Sequence, residues 1–240
     1  MAQRRATTSG RVPRAVPCWR SMEIGVLGAT GPAGRGVAAR LADAGHTVLA
    51  GSRDRARAAG VVDELQVKWG ERLASLHPAT NDEAAEARDL VVVATNWEAA
   101  LETTRAHAAA LAGKVVIAMA NGLRKEGREF RPVMPPEGSL AAAMQAAAPD
   151  AQVVAALQHV PAGAMGELDT PLETDVVVCA DDDDARRRVM ELLGEIGGLR
   201  ALDGGSLANA AAVEAFAAVI LTVNLRHKGH GTLRLEGVEA

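Results

Sequence analysis

The chain interrupts an apolar run, Ile24-Gly25-Val26-Leu27, with three evenly spaced glycines in Gly28-Ala29-Thr30-Gly31-Pro32-Ala33-Gly34, and turns helical from Arg35 onward. A strand that breaks into closely spaced glycines and then a helix is how a backbone is brought against a diphosphate. Gly28 permits the tight turn, Gly31 leaves no side chain between backbone N–H groups and phosphate, and Gly34 lets the helix pack close to the strand. The spacing is G-x-x-G-x-x-G, a variant of the G-x-G-x-x-G fingerprint, and a turn of this kind standing alone need hold no ligand.

The next strand narrows the ligand. After a helix through Leu41 comes Thr47-Val48-Leu49-Ala50 and then Gly51-Ser52-Arg53. An acidic residue closing that strand would accept hydrogen bonds from the adenosine ribose hydroxyls of NAD and repel a 2′-phosphate. None stands there. Ser52 offers a hydroxyl, Arg53 a guanidinium that stacks on adenine while donating to phosphate, and Arg57 adds charge one helical turn on. The alternative is that Arg53, Arg55 and Arg57 only solvate a surface helix.

Further strands follow in alternation with helices. Leu90–Ala94 and Val115–Met119 are continuous apolar runs, as expected of strands buried on both faces of a parallel sheet. Helical sequence runs from Trp97 to Ala112 and from Gly138 to Ala148. Val153–Ala156, Val176–Cys179 and Leu199–Leu202 read as three more strands, and Asp182–Ile196 and Ser206–Arg226 as helices. The pattern predicts an α/β fold: a doubly wound Rossmann-type parallel sheet over 22–150, with a smaller C-terminal α/β part over 151–240. Residues 1–21 carry five Arg, no acidic residue and no apolar signal core, so we expect a disordered leader or a start assigned too far upstream.

Composition removes several classes of function. With 240 residues, 48% of them hydrophobic, the chain can bury a core, and a net charge of -4 gives no nucleic-acid surface. Two cysteines, Cys18 and Cys179, make neither a disulfide framework nor a metal cluster, which suits the cytoplasm. The longest apolar stretch, Ala210 to Leu225, is interrupted by Glu214 and Asn224, so no membrane span is expected. Its segment Val213–Val223 would suit the interface of a homodimer. The run Asp181–Asp184 precedes a helix and reads as capping rather than as a metal site.

Ligands of such a sheet sit beyond the carboxyl ends of its strands. That places Gly28–Gly34, Ser52, Thr95-Asn96-Trp97, Ala120-Asn121-Gly122 and Gln158-His159-Val160-Pro161-Ala162 around one crevice. Trp97 either caps the core or walls the dinucleotide. His159 is a candidate general acid or a residue that positions a carbonyl. His46 and His107 read as helix-flanking or surface residues. No catalytic acid–base pair emerges, and hydride transfer between two bound cofactors requires none.

Gly28-Ala29-Thr30-Gly31, Gly51-Ser52-Arg53, Asn96-Trp97-Glu98, Val160-Pro161-Ala162, Val178–Asp183, Gly197–Arg200 and Leu202–Gly205 together resemble the NADPH:F420 oxidoreductases, from Met22 nearly to the end of the chain. Members of that family pass hydride between NADP(H) and the deazaflavin coenzyme F420. The resemblance implies that Thr30, Gly31, Pro32 and Ala33 hold the diphosphate and that Ser52, Arg53 and Arg57 hold the 2′-phosphate. It implies that Trp97, Leu101 and Asn121 line the nicotinamide, with Val160, Pro161 and Ala162 where the two rings meet and the C-terminal part over the deazaflavin. Departures are Pro32-Ala33 where Asn-Leu is frequent, Gln158-His159-Val160 where His-Thr-Ile is usual, and the segment Arg124–Pro136. Two alternatives stand beside this reading: an NADP-binding regulator of the atypical short-chain-dehydrogenase type, and an NADPH-dependent reductase of another small substrate.

Overall fold

A computed structural model describes residues 21–238, so the expectation for the leader falls outside the described residues apart from Ser21. Strands β1 (Glu23–Leu27), β2 (Thr47–Ser52) and β3 (Leu76–Thr80) alternate with helices α1 (Pro32–Asp43), α2 (Arg55–Trp69) and α3 (Asn81–Ala85). Then come β4 (Leu90–Val93), α4 (Trp97–Ala106), α5 (Ala108–Leu111), β5 (Val115–Ala118) and a hairpin of β6 (Leu123–Glu126) and β7 (Glu129–Pro132). The chain ends with α6 (Leu140–Ala147), β8 (Gln152–Ala155), α7 (Ala162–Met165), β9 (Thr174–Ala180), α8 (Asp183–Gly194), β10 (Leu199–Asp203) and α9 (Ala210–His227).

Eight strands form one sheet in the order β10-β9-β8-β5-β4-β1-β2-β3. From β3 to β8 all neighbours are parallel, whereas β9 pairs antiparallel with β8 and β10 follows β9. The sheet is therefore mostly parallel, and its strand order reverses at β1, between β2 and β4. A crevice opens at such a reversal because the connections leave β1 and β4 toward opposite faces. Because β9 and β10 run the other way, their first residues, Thr174-Asp175 and Leu199-Arg200, stand at the edge where the parallel strands end.

Burial follows the apolar runs. Leu90 to Val93 and Val115 to Ala118 are buried along their whole length, as two-faced covering requires. One cluster on Ile24, Val37, Leu41, Val92 and Ile117 fills the face under α1, and another on Leu27, Val93, Leu111 and Met144 fills the opposite face.

Two expectations are corrected. The helical stretch after Trp97 breaks at His107, whose φ of -106° and ψ of 10° leave the helix while Nδ1 meets Thr103 O at 2.7 Å. The segment Leu207–His227, with a mean hydropathy of 1.6, is long and apolar enough to cross a membrane by length and composition. The helix runs through both polar interruptions because each is bonded. Glu214 accepts the N–H groups of Leu140 and Ala141 at 2.8 and 3.0 Å, and the Asn224 amide meets Gly231 at 3.0 and 2.6 Å.

Candidate functional site: a crevice at the strand-order reversal

Gly28 adopts a φ of +80°, and a Cβ there would lie 2.9 Å from the Thr95 backbone, so the turn admits only glycine. A Cβ on Gly34 would lie 2.4 Å from Gly28 O, which shows how closely α1 approaches the loop. Gly31 is different: its φ is -77°, and the nearest atom to a Cβ is 3.5 Å away. The fold itself has room for a side chain there. Gly31 is also the N-cap of α1 with no side-chain cap, Pro32 takes the first helical position, and the first turn carries no acidic residue. The first turn of α1 thus presents its N–H groups and the positive end of the helix dipole with no side-chain cap.

Around this loop the crevice is lined by Gly28, Thr30, Ser52, Arg53, Arg57 and Asn81, with Thr95 and Asn96 completing it toward β4. Ser52 is buried, and its hydroxyl accepts the Asp54 N–H at 3.3 Å. Asp54 stands two residues beyond β2, but its carboxylate caps α2 through the Ala56 N–H at 2.9 Å. Arg53 and Arg57 are exposed on the crevice and form no ion pair among the described residues, whereas Arg55 turns away onto Glu83. The three arginines thus divide, two toward the crevice and one to the surface.

Asn81 is a contributor that the sequence did not signal. Its Oδ1 accepts the Gly28 N–H at 3.1 Å and fixes the glycine turn from the start of α3, while Thr80 supplies that helix's own cap. An asparagine opening a helix looks like a cap, so nothing local pointed to β1. The far wall comes from α4 through Ala99, Glu102, Thr103 and Ala106, and from His107, which pairs with Asp82 at 3.0 Å.

The other expected site residues occupy a second group. Trp97 and Leu101 are half-buried, four residues apart on α4, and pack on the cluster that also takes Ala120. Asn121 Nδ2 donates to Gln158 O at 2.9 Å, tying the ends of β5 and β8. Val160, Pro161 and Ala162 are half-buried, Pro161 capping the start of α7. His159 is buried, and its Nε2 donates to Asp175 O at 2.7 Å. Burial pushes the imidazole below the usual histidine value, so the ring is neutral and acts here as a donor to backbone. Asp175 is in turn gripped by Arg200 at 2.8 and 2.6 Å and by the Leu235 N–H at 2.6 Å, which fastens the C-terminal segment beside this turn.

Three polar atoms on this edge are buried without a partner among the described residues: Thr95 Oγ1, Asn121 Oδ1 and Gln158 Oε1. They stand just past the ends of β4, β5 and β8, at the strand ends where a ligand of this fold binds. By contrast, His46 is no surface residue. It is fully buried at the opposite edge, its Nδ1 accepting the Met22 N–H at 3.3 Å and its Nε2 3.3 Å from Glu195. The run Asp181–Asp184 is engaged at helix starts: Asp182 caps α8, Asp181 accepts the Leu207 N–H, and Asp183 and Asp184 pair with Arg186 and Arg187.

The comparisons with known proteins agree with this architecture. A family model described as NADP oxidoreductase coenzyme F420-dependent matches residues 23–122. An F420-dependent NADP reductase of Methanocaldococcus jannaschii is 30% identical over 223 residues, covering 91% of this chain and 100% of that one. One from Methanothermobacter marburgensis is 32% identical over 212 residues, covering 86% and 94%. A solved structure of a candidate F420-dependent NADP reductase from Arthrobacter sp. FB24 superimposes with a TM-score of 0.76 at 28% identity, covering 90% of this chain and 99% of that one. Identity at this level, sustained over nearly the full length of both chains, means that the protein belongs to the F420-dependent NADP reductase family.

Proposed function

We infer that the protein is an oxidoreductase that moves hydride directly between NADP(H) and coenzyme F420. Membership of the family supports the pair of coenzymes, and one observation ties the reading to this chain. Gly31 has space for a side chain and carries none, directly before helix amides that no residue caps. Glycine there serves an approaching diphosphate rather than the packing. The orphaned acceptors past β4, β5 and β8 fit a ring with N–H groups at the carboxyl ends of these strands.

In this reading the α1 amides with Thr30, Gly31, Pro32 and Ala33 hold the diphosphate, and Ser52, Arg53 and Arg57 hold the 2′-phosphate. Trp97, Leu101 and Asn121 border the nicotinamide, and Val160, Pro161 and Ala162 set the spacing of the rings. The two coenzymes supply the hydride donor and the hydride acceptor. The protein's part is distance, orientation and the exclusion of water. Its neutral, buried His159 holds the turn through a carbonyl and moves no proton.

Oxidised F420 mixed with NADPH and the protein should lose its absorbance; no bleaching at any ratio would end this reading. Arg53→Ala should weaken NADPH by tenfold or more while leaving NADH nearly unchanged, since one charge-assisted phosphate contact contributes on the order of 1.5 to 3 kcal/mol. Arg55→Ala, at the arginine paired with Glu83, should leave both affinities unchanged. Phe216, Val219 and Val223 expose one apolar face of α9, which supports a homodimer. Sedimentation as a monomer at micromolar concentration would remove that support.

A further inference from the structure

Asn121 and Gln158 each stand three residues past the end of neighbouring parallel strands, β5 and β8. Asn121 Nδ2 donates to Gln158 O at 2.9 Å, and Gln158 Nε2 donates to Ala118 O at 3.0 Å. A backbone carbonyl can only accept, so both amides are oriented by chemistry, with nitrogen toward the carbonyl. Their oxygens face the other way, and neither Asn121 Oδ1 nor Gln158 Oε1 has a donor among the described residues. Gln158 is only 6% exposed, so water does not freely complete its bonding. Just before it, the fully buried Leu157 adopts a φ of 73°, in the region that side-chain-bearing residues avoid. That turn folds Gln158 back upon β5. Strained backbone of this kind persists where the surroundings demand a particular side-chain placement.

We propose that Asn121 and Gln158 form an acceptor pair for an amide or imide N–H on the edge of the bound redox ring. Each amide nitrogen is held on a backbone carbonyl and its oxygen points the other way, so the pair favours an N–H over a carbonyl, carboxylate or phosphate. Two edges carry that chemistry: the carboxamide of nicotinamide and the imide of the deazaflavin pyrimidinedione. The proposal rests on NADP(H) and F420 being the ligands. Both oxygens are covered in this structure, so the ring reaches them only by shifting a neighbouring side chain.

Equilibrium binding separates the sources without turnover. Wild-type protein and Gln158→Met are titrated with NADP+ and with its 3-acetylpyridine analogue, in which methyl replaces the amide nitrogen. Both are also titrated with the deazaflavin and its N3-methyl derivative. A nicotinamide edge predicts that wild type prefers NADP+ over the analogue by about tenfold, one good hydrogen bond, and that Gln158→Met erases the preference. An imide edge predicts the same pattern in the deazaflavin pair. 2′-Phospho-ADP-ribose, which lacks the ring, should bind wild type and variant alike, showing that the variant is folded. Equal wild-type affinity within both pairs overturns the proposal, as does a preference that survives in Gln158→Met. If 2′-phospho-ADP-ribose itself fails to bind wild type, the coenzyme reading falls and this proposal with it. If Gln158→Met does not fold, the wild-type pairs and Asn121→Leu decide the matter in the same way.

Discussion

Arg40 Nε, in the last turn of α1, donates to Met165 O in α7 at 3.0 Å. The same guanidinium reaches Ala164 O, Glu167 O and Thr170 O at 3.1, 2.5 and 2.8 Å. One buried cation thereby joins the helix that opens on the glycine loop to the turn that follows Ala162. Gly36 permits the approach, because a Cβ there would lie 2.8 Å from the Met165 side chain.

Removing that cation should therefore loosen the turn that follows Ala162. Arg40→Met leaves Met165 O and Thr170 O without a donor, since Ala164 O and Glu167 O keep the N–H groups of Glu167 and Thr170. It should lower stability by on the order of 2 kcal/mol, since each buried orphan costs about 1 kcal/mol or more. Turnover should fall further than NADP+ affinity, as the α1 amides remain in place. Denaturant unfolding and titration calorimetry measure the two effects; an unchanged midpoint would mean that Arg40 holds nothing.

The three loop glycines should separate into two classes. Gly28→Ala forces a side chain into a φ of +80°, and Gly34→Ala puts carbon 2.4 Å from Gly28 O, so both should lose about 1–3 kcal/mol of stability. Gly31→Ala should melt like wild type yet bind NADP+ at least tenfold more weakly. A Gly31→Ala protein with normal affinity would mean that the diphosphate lies elsewhere.

How much of this was readable beforehand depended on how local the signal was. Ile24–Leu27, Leu90–Val93 and Val115–Ala118 announced themselves as buried strands because central strands are apolar on both faces. Leu76–Thr80 did not, since it is the edge strand and carries His77 and Pro78, which an edge tolerates. The hairpin β6–β7 is exposed over most of its length and charged, so it lacks an apolar stripe. The reversed direction of β9 leaves no trace in composition, yet it is what brings Asp175 beside His159. In the crevice, the glycines and Arg53 were legible as a motif. Asn81 was not, and Gln158 was placed there without a role, because what they do is defined by partners 53 and 40 residues away.

Asp175 gives the C-terminal segment a pH limit. Arg200 and the Leu235 N–H hold its carboxyl down to about 2, below the unfolded value of about 3.9. A carboxyl more acidic in the folded state contributes stability that is present above about pH 4 and lost as pH falls toward 2. Hydrogen exchange should show the 232–238 segment opening across that window before the sheet does. Asp175→Asn should open it already at neutral pH. A segment equally protected in the variant would assign its anchoring to Thr174 and the backbone instead.

The last expectation concerns which residues of the turn His159–Ala162 set the rate. If the protein only juxtaposes two rings, one stereospecific deuterium of labelled NADPH should arrive on the deazaflavin carbon without exchange into solvent. Spacing then governs turnover, and enlarging Ala162 should push the reacting carbons apart; a displacement of about 1 Å can cost on the order of a hundredfold. Ala162 opens α7 in a half-buried position, so Ala162→Leu should act on the rate more than on folding. His159 should behave in the opposite way. Its Nε2 donates to Asp175 O at 2.7 Å, and a glutamine amide can make the same donation. His159→Gln should therefore keep most of the activity and show no new break in its pH profile between 5 and 8, because the wild-type ring is held neutral by burial. A His159→Gln enzyme that is inactive yet folded, alongside an active Ala162→Leu, would make the imidazole a proton donor; deuterium lost to water would contradict direct transfer on its own.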